Sequence, residues 1–72
     1  MAVEIRLSQV REERGVSQDQ LARMIEQSRT NIQNIERGRA KSITFATLGK
    51  LCAALECQPG DLFRYVPDKV KP

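Results

Sequence analysis

Arg29, Thr30, Gln33 and Asn34 lie within six residues of one another and can meet base edges in a helical groove. On a helix turning about 100° per residue, Ile32 and Ile35 mark the inward side. Thr30, Gln33, Asn34 and Arg37 then point away from it. Arg29 sits to one side, near the start of the stretch, and is long enough to reach. Arginine forks onto guanine, asparagine and glutamine bridge adenine, and threonine meets a thymine methyl. The bland alternative for each is a solvated surface. An outward row with no glutamate or lysine among its central positions favours the reader of bases.

A second set would position rather than specify. Gln18 opens the preceding helical pattern, where free N–H groups and the helix dipole favour a phosphate. Asn31 and Arg37 lie at the edges of the base-facing row, and Arg39 and Lys41 follow in the next loop. For Arg39 and Lys41 an idle surface charge is an equal alternative. The chain has 72 residues, a net charge of +3 and a pI near 9.2. Between Ser28 and Lys41, Arg29, Arg37, Arg39 and Lys41 face Glu36 alone, so this short stretch holds the whole excess. A localised basic patch is the footprint of a polyanion binder.

These side chains need two helices to hold them. Leu21, Ala22 and Ile25 form one apolar pattern, Ile32 and Ile35 the next, and only Glu26 to Ser28 separate them. Helices joined so tightly cross steeply, with a small residue at the contact. Ala22 supplies it. The run 18–37 therefore has the architecture of a helix-turn-helix DNA reader, with the helix 28–37 in the major groove.

The flanking sequence predicts three more helices. The first carries Leu7, Val10, Arg11 and Arg14 on one stripe and stops at Gly15. Ser17 with Gln20 has the capping-box spacing, Ser28 is placed to cap the third helix, and Gly38 to end it. Thr44 caps a fourth helix, with Ile43 and Leu48 in hydrophobic-staple positions and a core stripe of Leu48, Leu51, Cys52 and Leu55. Gln58-Pro59 opens a short fifth helix anchored by Leu62 and Phe63. Val3, Ile5 and Leu7 alternate with polar residues, which is a strand period, and Tyr65-Val66 before Pro67 is also extended in character. Two readings stand for these tails: a small antiparallel ribbon, or a frayed N-terminal turn. Asp68 to Pro72 reads as a loose tail.

Several function classes are disfavoured. A chain this small buries only about 60% of its unfolded surface, so a deep catalytic cleft is hard to build. There is no histidine, no metal-ligand cluster, no glycine-rich phosphate loop and no paired nucleophile and base, so no enzyme, cofactor or metal is expected. Cys52 and Cys57 cannot complete a tetrahedral zinc site; they read as small hydrophobic residues, unpaired in a reducing compartment. No apolar run is long enough to span a membrane and no export signal appears, which makes the cytoplasm the expected location. No effector pocket or sensor segment is identifiable.

The motifs resemble the phage-repressor (Cro-like, xenobiotic-response-element type) helix-turn-helix family, in a small stand-alone subgroup. They are Ser17-Gln18 with Leu21-Ala22, then Ser28 with Ile32, Ile35, Glu36 and Gly38. Thr47-Leu48, Lys50-Leu51, Ala54-Leu55 and Asp61-Leu62-Phe63 follow, so the resemblance runs from about Ile5 to Val66. It implies the same phosphate role for Gln18. It also implies a structural ion pair between Arg11 and Glu36, with Arg11 snorkelling to water as the alternative. Two positions depart from the family pattern: Glu26 stands where glycine is usual, and Gln27 where an apolar residue is usual. Both changes together favour a rebuilt turn, with the second helix continued through Glu26.

The expectation is thus an all-α, compact five-helix domain over 1–72, with or without a short ribbon joining its tails. The expected function is a sequence-specific DNA-binding transcriptional regulator, a repressor, with double-stranded DNA as partner. It would work as a homodimer, since one such domain reads few base pairs. The alternative is an antitoxin-like protein-interaction module on the same fold. The tail 68–72 is short and polar for holding a toxin.

Overall fold

The computed structural model describes residues 2–67. Its elements are β1 (Ala2–Ile5), α1 (Leu7–Glu13), α2 (Gln18–Met24), α3 (Arg29–Glu36), α4 (Phe45–Leu55), α5 (Pro59–Leu62) and β2 (Phe63–Val66). The tail expected at 68–72 lies outside the described residues.

Local chemistry starts the helices. At α2 the Ser17 Oγ accepts the Gln20 N–H at 3.1 Å, and the Gln20 Oε1 accepts the Ser17 N–H at 2.8 Å. Ser28 accepts from the Asn31 N–H at 3.0 Å, and Thr44 from the Thr47 N–H at 3.1 Å. Each side-chain oxygen satisfies a donor that the first helical turn leaves unpaired.

One motif ends four helices. After α1, α2, α3 and α4 a residue with positive φ reverses the chain: Gly15 at 69°, Glu26 at 58°, Gly38 at 72° and Glu56 at 52°. In each case the next N–H reaches back five residues. Val16 bonds the Arg11 carbonyl at 3.1 Å, Gln27 that of Ala22 at 2.8 Å, Arg39 that of Asn34 at 2.8 Å, and Cys57 that of Cys52 at 3.0 Å. This is the Schellman arrangement.

The turn at Glu26 therefore corrects the rebuilt-turn expectation. The helix α2 does not continue through Glu26; it ends at Met24, with Ile25 as its C-cap. The ordinary left-handed turn survives because backbone bonds hold it, despite the steric cost of a side chain there. Gln27 has a different use. Its Oε1 accepts the Asn31 Nδ2 at 2.8 Å, which ties the turn to the first turn of α3.

Leu7, Val10, Leu21, Ala22, Ile25, Ile32, Ile35, Leu51, Leu55 and Leu62 form one continuous core. Each fully buried leucine or isoleucine contributes roughly 1.5–3 kcal/mol over its exposed state. Ala22, the small residue expected at the contact of α2 with α3, is buried. Cys52 and Cys57 are half-buried free thiols against this core. Burial, and then the neighbouring Cys52, push the Cys57 thiol pKa above its ordinary value.

The tails form the ribbon. β1 and β2 pair antiparallel, with Val3 opposite Tyr65, Glu4 opposite Arg64 and Ile5 opposite Phe63. Ile5 and Phe63 pack on the core. Phe63 is thus the first residue of β2 and not the last of α5. The Arg6 N–H bonds the Leu62 carbonyl at 2.7 Å, which joins the start of α1 to the end of α5.

Candidate nucleic-acid interface

The surface of α3 is set by what its opposite side buries. Ile32 and Ile35 are 0% and 6% exposed, which fixes the rotation of the helix about its axis. Arg29 and Thr30 are exposed at its first turn, Gln33 and Asn34 are half-exposed along its middle, and Arg37 is exposed at its end. Arg39 and Lys41 are exposed in the loop beyond. The expected base-facing row is therefore accessible on α3, and its expected basic flank is accessible in the loop beyond.

A polar network locks that surface to α1 and α2. The Arg11 Nε donates to Glu36 Oε2 at 2.8 Å, and the Arg11 Nη1 to the Val16 carbonyl at 3.0 Å. The two side chains are only 11% and 7% exposed, so Arg11 does not snorkel to water. Glu36 Oε1 accepts the Gln18 Nε2 at 2.8 Å. With its nitrogen so committed, Gln18 turns its Oε1 towards donors on α3: Gln33 Nε2 at 3.3 Å and Arg29 Nε at 3.4 Å. Arg29 also lies 3.6 Å from Asp19, with both groups exposed. An exposed pair of that kind contributes at most about 1 kcal/mol, so Arg29 is easily released to a phosphate or a base.

Two further side chains, whose contacts were not expected from the sequence, bear on this geometry. Gln27 holds Asn31, so the amide nitrogen of Asn31 is already engaged at the turn. Arg14 extends beyond the buried stripe of α1, and its Nε bonds the Leu55 carbonyl at 2.8 Å. It thereby satisfies the carbonyl end of α4 from a distance of 41 residues in sequence. Among the described residues, no cluster of three or more potential metal ligands occurs, and no helix is long and apolar enough to cross a membrane.

Comparison with known proteins agrees with this geometry. Residues 6–68 match the model of the Cro/C1-type HTH DNA-binding domain. The chain is 35% identical over 69 residues to the uncharacterized HTH-type transcriptional regulator YozG of Bacillus subtilis (strain 168), covering 96% of this chain and 82% of that protein. Its fold superposes on the restriction-modification controller protein C.AhdI from Aeromonas hydrophila with a TM-score of 0.73 and 33% identity, over 81% of this chain and 86% of that one. It also superposes on SinR, the master regulator for biofilm formation, crystallised in complex with DNA. There the TM-score is 0.70 and the identity 28%, over 75% of this chain and 86% of that one. With its capped helix pair and five-helix core, the chain belongs to the Cro/C1-type helix-turn-helix family of DNA-binding transcriptional regulators.

Proposed function

We propose that this regulator is a sequence-specific repressor, acting in the cytoplasm as a homodimer on a near-palindromic operator. In this reading α3 enters the major groove. Arg29, Thr30, Gln33 and Asn34 read base edges, while Arg37, Arg39 and Lys41 take phosphates, joined by Gln18 and Asn31 through the second hydrogen of each amide nitrogen. The observation that carries it is the network through Gln18. One carboxamide bonds α3 at Gln33, Arg29 and Glu36, so α3 is held to α2 and Gln33 is oriented within the row before DNA arrives. Ordering in advance lowers the entropic cost of binding. SinR has been crystallised with DNA, which supports the same kind of partner here. The dimer follows from selectivity: two half-sites about one helical turn apart supply what a single short helix cannot.

In vitro selection of bound sequences from a random duplex pool tests this reading. The expected product is one enriched motif with two related halves. A pool that stays random after repeated rounds would overturn sequence-specific reading. A single unrepeated motif would overturn the dimer.

A further inference from the structure

The surface contains a second cationic feature outside the helix pair. An open groove of about 480 Å³ lies between the ribbon and the C-terminal end of α3. Three elements bring an arginine to it: Arg6 from the N-cap of α1, Arg37 from the C-cap of α3, and Arg64 from β2. Two carboxylates line it as well. Glu36 is already held by Arg11 and Gln18, which leaves Glu4, the cross-strand neighbour of Arg64, as the groove's remaining negative charge. Gln9, which also lines the groove, accepts the Arg6 Nε at 3.0 Å.

Three guanidinium groups spread over an open trough suit a polyanion with repeated charges better than one small anion. The groove also begins where the base-facing row ends, because Arg37 follows Gln33 by one helical turn. We propose that Arg6 and Arg64 extend the DNA-contacting surface beyond the helix pair, binding phosphates of the duplex that flank the base pairs faced by α3. This rests on the reading of α3 given above. The ribbon then has a role besides closing the core: it presents Arg64 to the flank of the operator.

The test uses the full chain, a selected duplex trimmed to its core site, and the same site with flanks extended on both sides. For the native protein, affinity should rise when the flanks are added. For Arg6→Ala with Arg64→Ala that gain should vanish, and the slope of log affinity against log salt should fall by about 1.8. Between 50 and 200 mM salt this makes the native protein's loss of affinity about tenfold greater than the variant's. Glu4→Gln should bind the extended duplex more tightly and the trimmed one unchanged. Circular dichroism melts show that the variants remain folded; should the double variant unfold, Glu4→Gln and the flank dependence of the native protein decide the matter. A flank gain and slope that persist in the double variant, or an unchanged Glu4→Gln, would overturn the proposal while leaving the α3 reading intact. Native protein that binds no duplex would overturn both.

Discussion

Gln18 Nε2 lies 2.8 Å from Glu36 Oε1, on the same carboxylate that Arg11 holds through its other oxygen. The start of α2 and the end of α3 are therefore bound to one anionic group, which α1 neutralises. Fold stability and the presentation of α3 are linked at that point.

The first prediction concerns this carboxylate. Breaking a buried ion pair costs roughly 3–5 kcal/mol, because the remaining charge stays desolvated. Arg11 and Glu36 are nearly but not wholly buried, so Arg11→Ala should lie at the lower end of that range in urea denaturation. Gln18→Ala should cost less: its one short bond to a charged group, that to Glu36, is worth about 1.5–3 kcal/mol, and its bonds to Gln33 and Arg29 are long at 3.3 and 3.4 Å. Equal losses for the two variants would show that the pair carries no special burden.

The second prediction concerns the helix stops. Glu26 and Glu56 hold φ of 58° and 52°, where a side chain costs on the order of 1 kcal/mol. Glu26→Gly and Glu56→Gly should each stabilise the fold, by less than that cost because glycine gains entropy in the unfolded chain. Glu26→Gly also gives up a 3.8 Å contact with Lys50, exposed on both sides and so of small effect. Chemical denaturation measures both. Loss of stability in both variants would mean that the turns are not strained.

Much of the fold was legible because its signals are local. Ser17, Ser28 and Thr44 each precede by three residues the N–H that they accept, and Gly15 and Gly38 mark turns that only a left-handed residue can make. Glu26 misled because nothing in its side chain announces positive φ; the two backbone bonds that impose it belong to the folded chain. The ribbon was one of two open readings, since alternation along Val3, Ile5 and Leu7 does not reveal a strand's partner. The place of Gln18 at a helix start was legible from the cap at Ser17. The bonds of Gln18 to Glu36 and Gln33 were not, because they depend on how two helices cross. Arg14 bonding Leu55 is farther still from any sequence period.

The third prediction separates reading from positioning. Asn34→Ala or Arg29→Ala should reduce discrimination between good and poor sites, by about 1–3 kcal/mol for each bidentate contact. Lys41→Ala should weaken binding to all duplexes alike. Competition binding against a set of single-base variants of the selected site distinguishes them. A changed base preference in Lys41→Ala, with none in Asn34→Ala, would contradict the assignment of the reading row.

The fourth prediction follows from the raised Cys57 pKa, caused first by burial. At neutral pH less of this thiol is ionised in the folded protein than in the unfolded chain, so alkylation should be slower when folded. The linked stability runs the same way. A thiol that keeps its proton longer in the folded state adds stability below its unfolded pKa, and the addition is lost as pH rises through the folded pKa. Mass-resolved alkylation of Cys57 in native and denatured protein measures the difference, and equal rates would contradict it.

The most direct measurement is fluorescence anisotropy of the selected duplex and a scrambled duplex across a salt series. Each phosphate neutralised by Arg37, Arg39 or Lys41 should add close to one unit to the slope of log affinity against log salt. The expected result is a steep fall in affinity for both duplexes, with the selected one bound more tightly at every salt concentration. Affinity that stays flat across the series, or is the same for both duplexes throughout, would contradict sequence-specific DNA binding by α3.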